Sequence, residues 1–166
     1  MNIKKASIED IPAIVEIAYA TWFVTYRDVI TQEQIEYMFG EMYTPESIFK
    51  QMDFYKHEFL ILYIDEVPVG FASYGALEEP KNTYKLHKLY LLPSQHNKGL
   101  GRLLIQKVEH EVAMLSAKYL HLNVNRKNPA LAFYKKLGYE IIETVDIPFA
   151  EFWLNDFVMA KSINLS

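Results

Sequence analysis

The run Leu89-Tyr90-Leu91-Leu92-Pro93-Ser94-Gln95-His96-Asn97-Lys98-Gly99-Leu100-Gly101-Arg102 is the stretch with the fewest ways to fold. An apolar, strand-like segment stops at a proline and a polar loop follows. A pair of glycines then opens onto Leu100, Leu103, Leu104, Val108, Val112 and Leu115 at helical intervals. The reading is strand, short loop and a helix from about Gly99 to Lys118. A helix start presents backbone N–H groups without intrahelical acceptors and the positive end of the helix dipole, so an anion can be held there. Glycine lets that anion approach the backbone, and Lys98 and Arg102 add charge. Two readings stay open: a phosphate-holding loop, or a helix-initiating turn that needs small residues. Leu104 stands where a third glycine would complete the dinucleotide fingerprint, and no Gly-x-x-x-x-Gly-Lys-Ser/Thr loop occurs.

Charge gives that turn a context. The chain has 17 Lys and Arg against 21 Asp and Glu, a net charge of -4. This balance argues against a nucleic-acid binder, which ordinarily needs a dominant basic face. Yet Lys81, Lys85, Lys88, Lys98, Arg102 and Lys107 follow one another with no Asp or Glu between them, a basic island around the glycine pair. From Asp28 to Glu46 the reverse holds: Asp28, Glu33, Glu36, Glu41 and Glu46 occur without a Lys or Arg. As sites, the island suits an anion and the acidic stretch a cation. As plain surface, both are solvated faces. The absence of cysteine removes disulfides, thiolate metal sites and a Cys nucleophile, and fits a reducing compartment. No apolar stretch has the length of a signal-peptide core at the start or of a bilayer span elsewhere. A soluble, cytoplasmic protein with no membrane partner is therefore expected.

At 166 residues, 51% of them hydrophobic, the chain suits a single domain over residues 1–166 with a sizeable core. Ile3 to Ala6 reads as a short strand. Ser7 with Asp10 resembles a cap for a helix reaching about Tyr26, with Ile11, Ile14, Val15, Ala18 and Trp22 on one stripe. Thr31 with Gln34 repeats the capping pattern, and Thr44-Pro45 opens a third helix. Glu58 to Ile64 and Val67 to Ala76 read as strands joined at Asp65-Glu66, the first apolar on both parities and so covered on both faces. A strand from about Tyr84 to Leu92 precedes the glycine loop. Tyr119 to Val124 is a strand, and Asn128-Pro129 starts a helix that ends at Gly138. The last strands run about Tyr139 to Ile147 and Glu151 to Ala160. This order implies an α/β layered domain whose mostly antiparallel sheet is interrupted by a crossover helix.

The glycine turn and a second segment together resemble the GNAT superfamily of acyl-CoA-dependent N-acetyltransferases. After its fourth strand the family places Gln or Arg, two variable residues, Gly, a variable residue, and Gly or Ala. His96-Asn97-Lys98-Gly99-Leu100-Gly101 follows this except at His96, which keeps a ring donor on a shorter side chain. Downstream, Asn128-Pro129-Ala130-Leu131-Ala132-Phe133-Tyr134-Lys135-Lys136-Leu137-Gly138-Tyr139 is similar to the family segment running from an asparagine through Phe-Tyr to a glycine and an aromatic. The element order resembles the family along the whole chain, most sharply from about Leu86 to Tyr139. The resemblance implies a GNAT fold, a mixed, mostly antiparallel central sheet flanked by helices with splayed central strands, and acetyl-CoA as co-substrate without a metal. By the same resemblance, the backbone of Leu89 would contact the thioester carbonyl and that of Leu91 the pantetheine arm. His96, Asn97, Lys98, Gly99, Gly101 and Arg102 would surround the pyrophosphate. Asn128 would bind the arm by its side chain, and Tyr134 would stand near the thioester sulfur.

Acetyl transfer to an amine needs a neutral nitrogen, a polarised carbonyl and a proton for the departing thiolate. With an alkylammonium pKa of about 10.4, under about 0.1% of the amine is neutral at pH 7, so deprotonation requires help. The Leu89 N–H would stabilise the oxyanion, and Tyr134 would protonate the thiolate as the family's tyrosine does. On spacing alone Tyr134 equally suits a core aromatic, one turn from Ala130 and Leu137. For the base, His87 shares a strand face with Leu89; an exposed histidine without chemistry is the competing reading. Glu33, Glu78 and Tyr84 are further choices, while His57 and His121 fit structural roles. His110-Glu111 lacks a second histidine at Met114, so the helical zinc motif is missing. The acceptor site is expected among Trp22, Tyr26, Asp28 and Glu33, with Tyr37 and Met38 nearby, where acidic and aromatic groups suit a cationic amine. The segment from Thr21 to Tyr26 resembles family members that act on small amines, polyamines included. A CoA-binding module without transfer, or a peptide N-terminal acetyltransferase, is the alternative. The apolar last strands leave room for a homodimer.

Overall fold

Local signals set the first elements of the computed structural model, which describes residues 1–164. β1 (Asn2–Lys5) leads to Ser7, whose hydroxyl accepts from the Glu9 amide while the Asp10 carboxylate accepts from the Ser7 amide at 2.8 Å. This reciprocal cap opens a 3-10 turn (Ile8–Asp10) that runs into α1 (Ile11–Tyr26), with Pro12 in the first turn. Thr31 and Thr44 cap α2 (Gln32–Met42) and α3 (Pro45–Asp53) by accepting from the amides of Gln34 and Ser47. β2 (Glu58–Ile64) and β3 (Val67–Ala76) form an antiparallel hairpin over Asp65 and Glu66, whose φ angles of 49° and 66° supply the twist of a two-residue turn. There follow β4 (Thr83–Leu91), α4 (Leu100–Met114), β5 (Tyr119–Asn125), α5 (Ala130–Lys136), β6 (Glu140–Phe149) and β7 (Phe152–Ser162).

α4 stops short of the Lys118 expected from its apolar pattern. Ser116 takes a positive φ of 65°, its amide bonds the Ala113 carbonyl, and the Ala117 amide reaches back to Val112, both at 3.0 Å. This is a Schellman closure built on serine instead of glycine, so its sequence signal is weak.

The strands hydrogen-bond in the order β1-β2-β3-β4-β5-β7-β6. β1–β2, β2–β3, β5–β7 and β6–β7 are antiparallel, whereas β4–β5 is parallel, as a pair joined by the crossover α4 must be. The architecture is the expected mixed α/β fold with a mostly antiparallel sheet. The parallel ladder is short, pairing Thr83–Leu86 with Tyr119–Leu122. Among the described residues, Asn123, Val124 and Asn125 then pair with β7 alone.

The chain divides into two compact units: Met1–Gly75 with His87–Val108, and Ala76–Leu86 with the described residues from Glu109 onward. In the first, Ile14 and Trp22 of α1, Ile35 of α2 and Ile48 of α3 are buried, as are Phe59, Leu60, Ile61 and Leu62 of β2 on both parities. In the second, Val112, Leu120, Leu122, Val124 and Met159 are buried. There the Tyr139 hydroxyl donates to Glu109 at 2.8 Å, and Lys161 holds the same carboxylate oxygen at 2.9 Å. Gly138 ends the turn after α5 at φ 94°, the left-handed conformation expected of it. No described helix is long and apolar enough to cross a membrane.

Candidate active site

The sequence-predicted residues fall in both units. In the first, the loop after β4 closes on itself. Pro93–Gln95 forms a 3-10 turn, Asn97 takes φ 62° and Gly99 φ 76°. A Cβ built on Gly99 would meet nothing within 4 Å, so glycine is present for its backbone angle and the space before it is open. The Leu103 amide bonds Gly99 O at 3.2 Å, and a helix start leaves the amides of its first turn without intrahelical acceptors. Lys98, Gly99 and Arg102 are exposed and Leu100 is buried, anchoring the turn from beneath. Lys98 Nζ donates to Gln95 Oε1 at 3.2 Å. The His96 ring lies 3.0 Å from the Leu91 carbonyl through Nε2, so its side chain is held on the loop's own backbone. An open, glycine-lined helix start with adjacent cations fits a diphosphate.

Upstream on β4, His87 is half-buried and its ring stacks on that of His57, centroids 3.9 Å apart and planes 14° from parallel. Gly75 permits this: a Cβ there would lie 3.0 Å from His57 Cδ2 and 3.5 Å from His87 Nε2. Lys88, only 6% exposed, donates to Gln51 Oε1 at 2.6 Å and lies over the rings of Tyr43 and Phe59. Leu89 is half-buried, as are Tyr90 and Leu91.

The aromatic group named for the acceptor has a buried base and an open rim. Trp22 is buried and donates Nε1–H to the Ile35 carbonyl at 3.0 Å. Tyr26 is half-buried and packs on Trp22 at 4.2 Å, while Asp28 and Glu33 are exposed. Tyr43 and Tyr90 complete the cluster, 6.1 Å apart, and burial pushes both phenols well above their ordinary acidity range. Sequence reasoning passed over these tyrosines, and counted Lys88 only as charge in the basic island. A strand position of opposite parity to Leu89 is the signal that would have found both Lys88 and Tyr90.

In the second unit, Tyr134 lies in the last turns of α5, half-buried, between Phe133 at 5.2 Å and Tyr139 at 6.0 Å. The bond from Tyr139 to Glu109 fixes the ring against which Tyr134 packs. Asn128 Oδ1 accepts from the Ala130 amide at 2.9 Å, so this oxygen serves the helix start. Among the described residues, no group of three or more His, Asp or Glu side chains is placed to hold a metal ion.

A sequence profile described as the Acetyltransferase (GNAT) domain matches residues 26–163, a span that takes in the glycine turn and α5. The chain belongs to the GNAT acetyltransferase family. Its fold is similar to the crystal structure of PaiA N-acetyltransferase from Thermoplasma acidophilum in complex with coenzyme A, at TM-score 0.83 and 28% identity, covering 97% of this chain and 98% of that one. A GCN5-related N-acetyltransferase from Rhodopseudomonas palustris shares the fold at TM-score 0.81 and 24% identity, over 97% and 94% of the two chains. By sequence, this GNAT chain is 28% identical to a spermidine N(1)-acetyltransferase of Thermoplasma acidophilum over 97% of its own length and 96% of the relative's. It is 26% identical to the uncharacterised N-acetyltransferase YuaI of Bacillus subtilis, over 81% and 78%.

Proposed function

We propose that this GNAT protein transfers the acetyl group of acetyl-CoA to a primary amine, a small amine or a polyamine, by direct attack in a ternary complex. One observation carries the cofactor half: the exposed start of α4, where Gly99 at φ 76° leaves open space before amides flanked by Lys98 and Arg102. That turn would take the pyrophosphate by backbone donors and two cations, with Asn97 and Gly101 completing its rim. Leu91's carbonyl is engaged by His96, so a pantetheine contact at Leu91 falls to its amide or displaces that imidazole. Asn128 would meet the arm through the amide nitrogen that capping leaves to it.

Acetyl-CoA supplies the thioester electrophile. The Leu89 amide would donate to the carbonyl oxygen as negative charge develops on it. His87, held by its stack on His57, would take the proton of the acceptor ammonium. Tyr134 would return a proton to the departing thiolate. The similarity to a spermidine acetyltransferase and the stretch from Asp28 to Glu46 without Lys or Arg support a cationic acceptor. Exposed Asp28 and Glu33, with Tyr26 backed by Trp22, would attract it by charge and by ring face.

Thiol release from acetyl-CoA tests this reading. Release is expected only when an amine is also present, with spermidine among those accepted. CoA binding without release across polyamines, amino acids, aminoglycosides and peptide N-termini would replace the enzyme by a CoA-binding module.

A further inference from the structure

β5 and β7 in the second unit present two faces of opposite character. Leu120, Leu122, Val124 and Met159 point into the core, none more than 4% exposed. The alternate positions hold His121, Asn123 and Asn125 on β5 and Asp156, Val158 and Ala160 on β7, all half-buried. The register sets them in rows: Lys85 of β4 beside His121, His121 opposite Ala160, Asn123 opposite Val158, and Asn125 opposite Asp156. Diagonal neighbours on one face come within reach of each other, and Asn123 hydrogen-bonds the Asp156 carboxylate. Lys85 and Arg126 act on that carboxylate through their charge, and His121 feels Lys85. The Arg126 guanidinium is itself committed to the Val145 carbonyl and to Asp146 of β6. Val145 is the β6 residue opposite Asp156 and brings no charge.

Asp156 has a hydrogen bond and two nearby cations, yet it sits half-buried on the face. Burial raises its carboxyl above the usual range even though Asn123, Lys85 and Arg126 all pull the other way. Burial also lowers the Lys85 ammonium, against the pull of Asp156. A carboxylate built into a structural ion pair is normally lowered. A carboxylate raised by its own burial on a half-buried polar face is placed to gain from an arriving cation.

We propose that Asp156 binds an ammonium group of the acceptor amine, with Asn123 as the positioning residue that fixes the carboxylate, so that this face sets the preference for cationic acceptors. The proposal rests on the transferase reading above. The covalent step is unchanged: the amine nitrogen forms the bond to the acetyl carbon as the bond to sulfur breaks.

The test is steady-state kinetics with spermidine, or the best amine of the panel, on wild type, Asp156→Asn and Asp156→Glu, with CoA affinity measured by calorimetry. Asp156→Asn is expected to raise the amine KM at least about tenfold, the scale of losing one partner of a desolvated charge pair, with kcat within about twofold and CoA affinity unchanged. Asp156→Glu should recover much of the loss. On acidification the wild-type KM should climb as the carboxyl is protonated, and that climb should vanish in Asp156→Asn. An Asp156→Asn protein with wild-type KM and pH profile overturns the proposal alone. If that variant does not fold, Asn123→Ala decides it by the same KM, a raised value supporting the proposal and an unchanged one counting against it. A wild type that binds CoA but releases no thiol with any amine overturns the transferase reading and this proposal with it.

Discussion

The start of α4 in the first unit and the β5–β7 face in the second offer charge in different ways. The first works through backbone amides, with a glycine holding an angle that other residues rarely adopt, and its charged side chains, Lys98 and Arg102, are exposed. The second works through side chains brought together by strand register and partly withdrawn from water. A backbone site depends on local conformation, so substitution there should change binding while leaving the fold intact. A half-buried side-chain site is energetically tied to the sheet that carries it, so substitution should move binding and stability together.

Gly99→Asp should break the first half of this comparison with the largest effect. Like charges brought together cost several kcal/mol, so CoA affinity should fall at least about 100-fold, read by calorimetry. The open space at Gly99 admits the side chain and aspartate tolerates a positive φ, so strain should stay near about 1 kcal/mol and the protein should remain folded. Unchanged CoA affinity would move the diphosphate away from this turn. Tyr134→Phe comes next. Loss of a general acid should lower kcat on the order of 10- to 100-fold with CoA affinity retained, whereas full turnover with a good amine would end its assignment as acid.

The contrast also explains what the sequence could disclose. The Gly99 turn, the Thr31 and Thr44 caps and the Gly138 helix end are local, each written within a few consecutive residues, and the structure places all of them where the pattern does. Strand parity was equally readable, as in β2, buried on both faces. What stayed hidden depends on register. His57 reads as a structural histidine until hairpin pairing sets Gly75 beside it and His87 stacks on its ring. Asp156 lies in a segment legible only as a strand, and its surroundings are set once β7 is aligned so that Asn123 reaches it. No local motif encodes either pairing, because each is fixed by hydrogen bonds between strands remote in sequence.

Tyr139→Phe probes the packing beneath Tyr134. The Tyr139 hydroxyl is bonded to Glu109, and burial together with that carboxylate pushes its ionisation far above the ordinary range, so it remains a neutral donor throughout working pH. Removing it costs about 1 kcal/mol, or about 2–4 °C in Tm for a chain of this length. Glu109 keeps Lys161 at 2.9 Å, which limits the loss. A much larger drop would mean that Glu109 depends on both donors.

The smallest expected effect has the most informative sign. The folded-state carboxyl of Asp156 is raised by burial above its unfolded value, so the folded protein favours the protonated acid. Its favourable contribution is present below the unfolded carboxylate pKa of about 3.9 and is lost as pH rises through the folded value. At neutral pH the ionised side chain therefore weakens the fold, and Asp156→Asn should melt higher than wild type, with the gap closing in acid. Thermal unfolding at neutral and acidic pH checks this directly. Saturating amine should narrow the gap from the other side, because a ligand stabilises the state that binds it and the wild type binds the cation more tightly. A lower Tm for Asp156→Asn at neutral pH would mean that Lys85 and Arg126 already satisfy the carboxylate, and the β5–β7 face would then be a structural ion network.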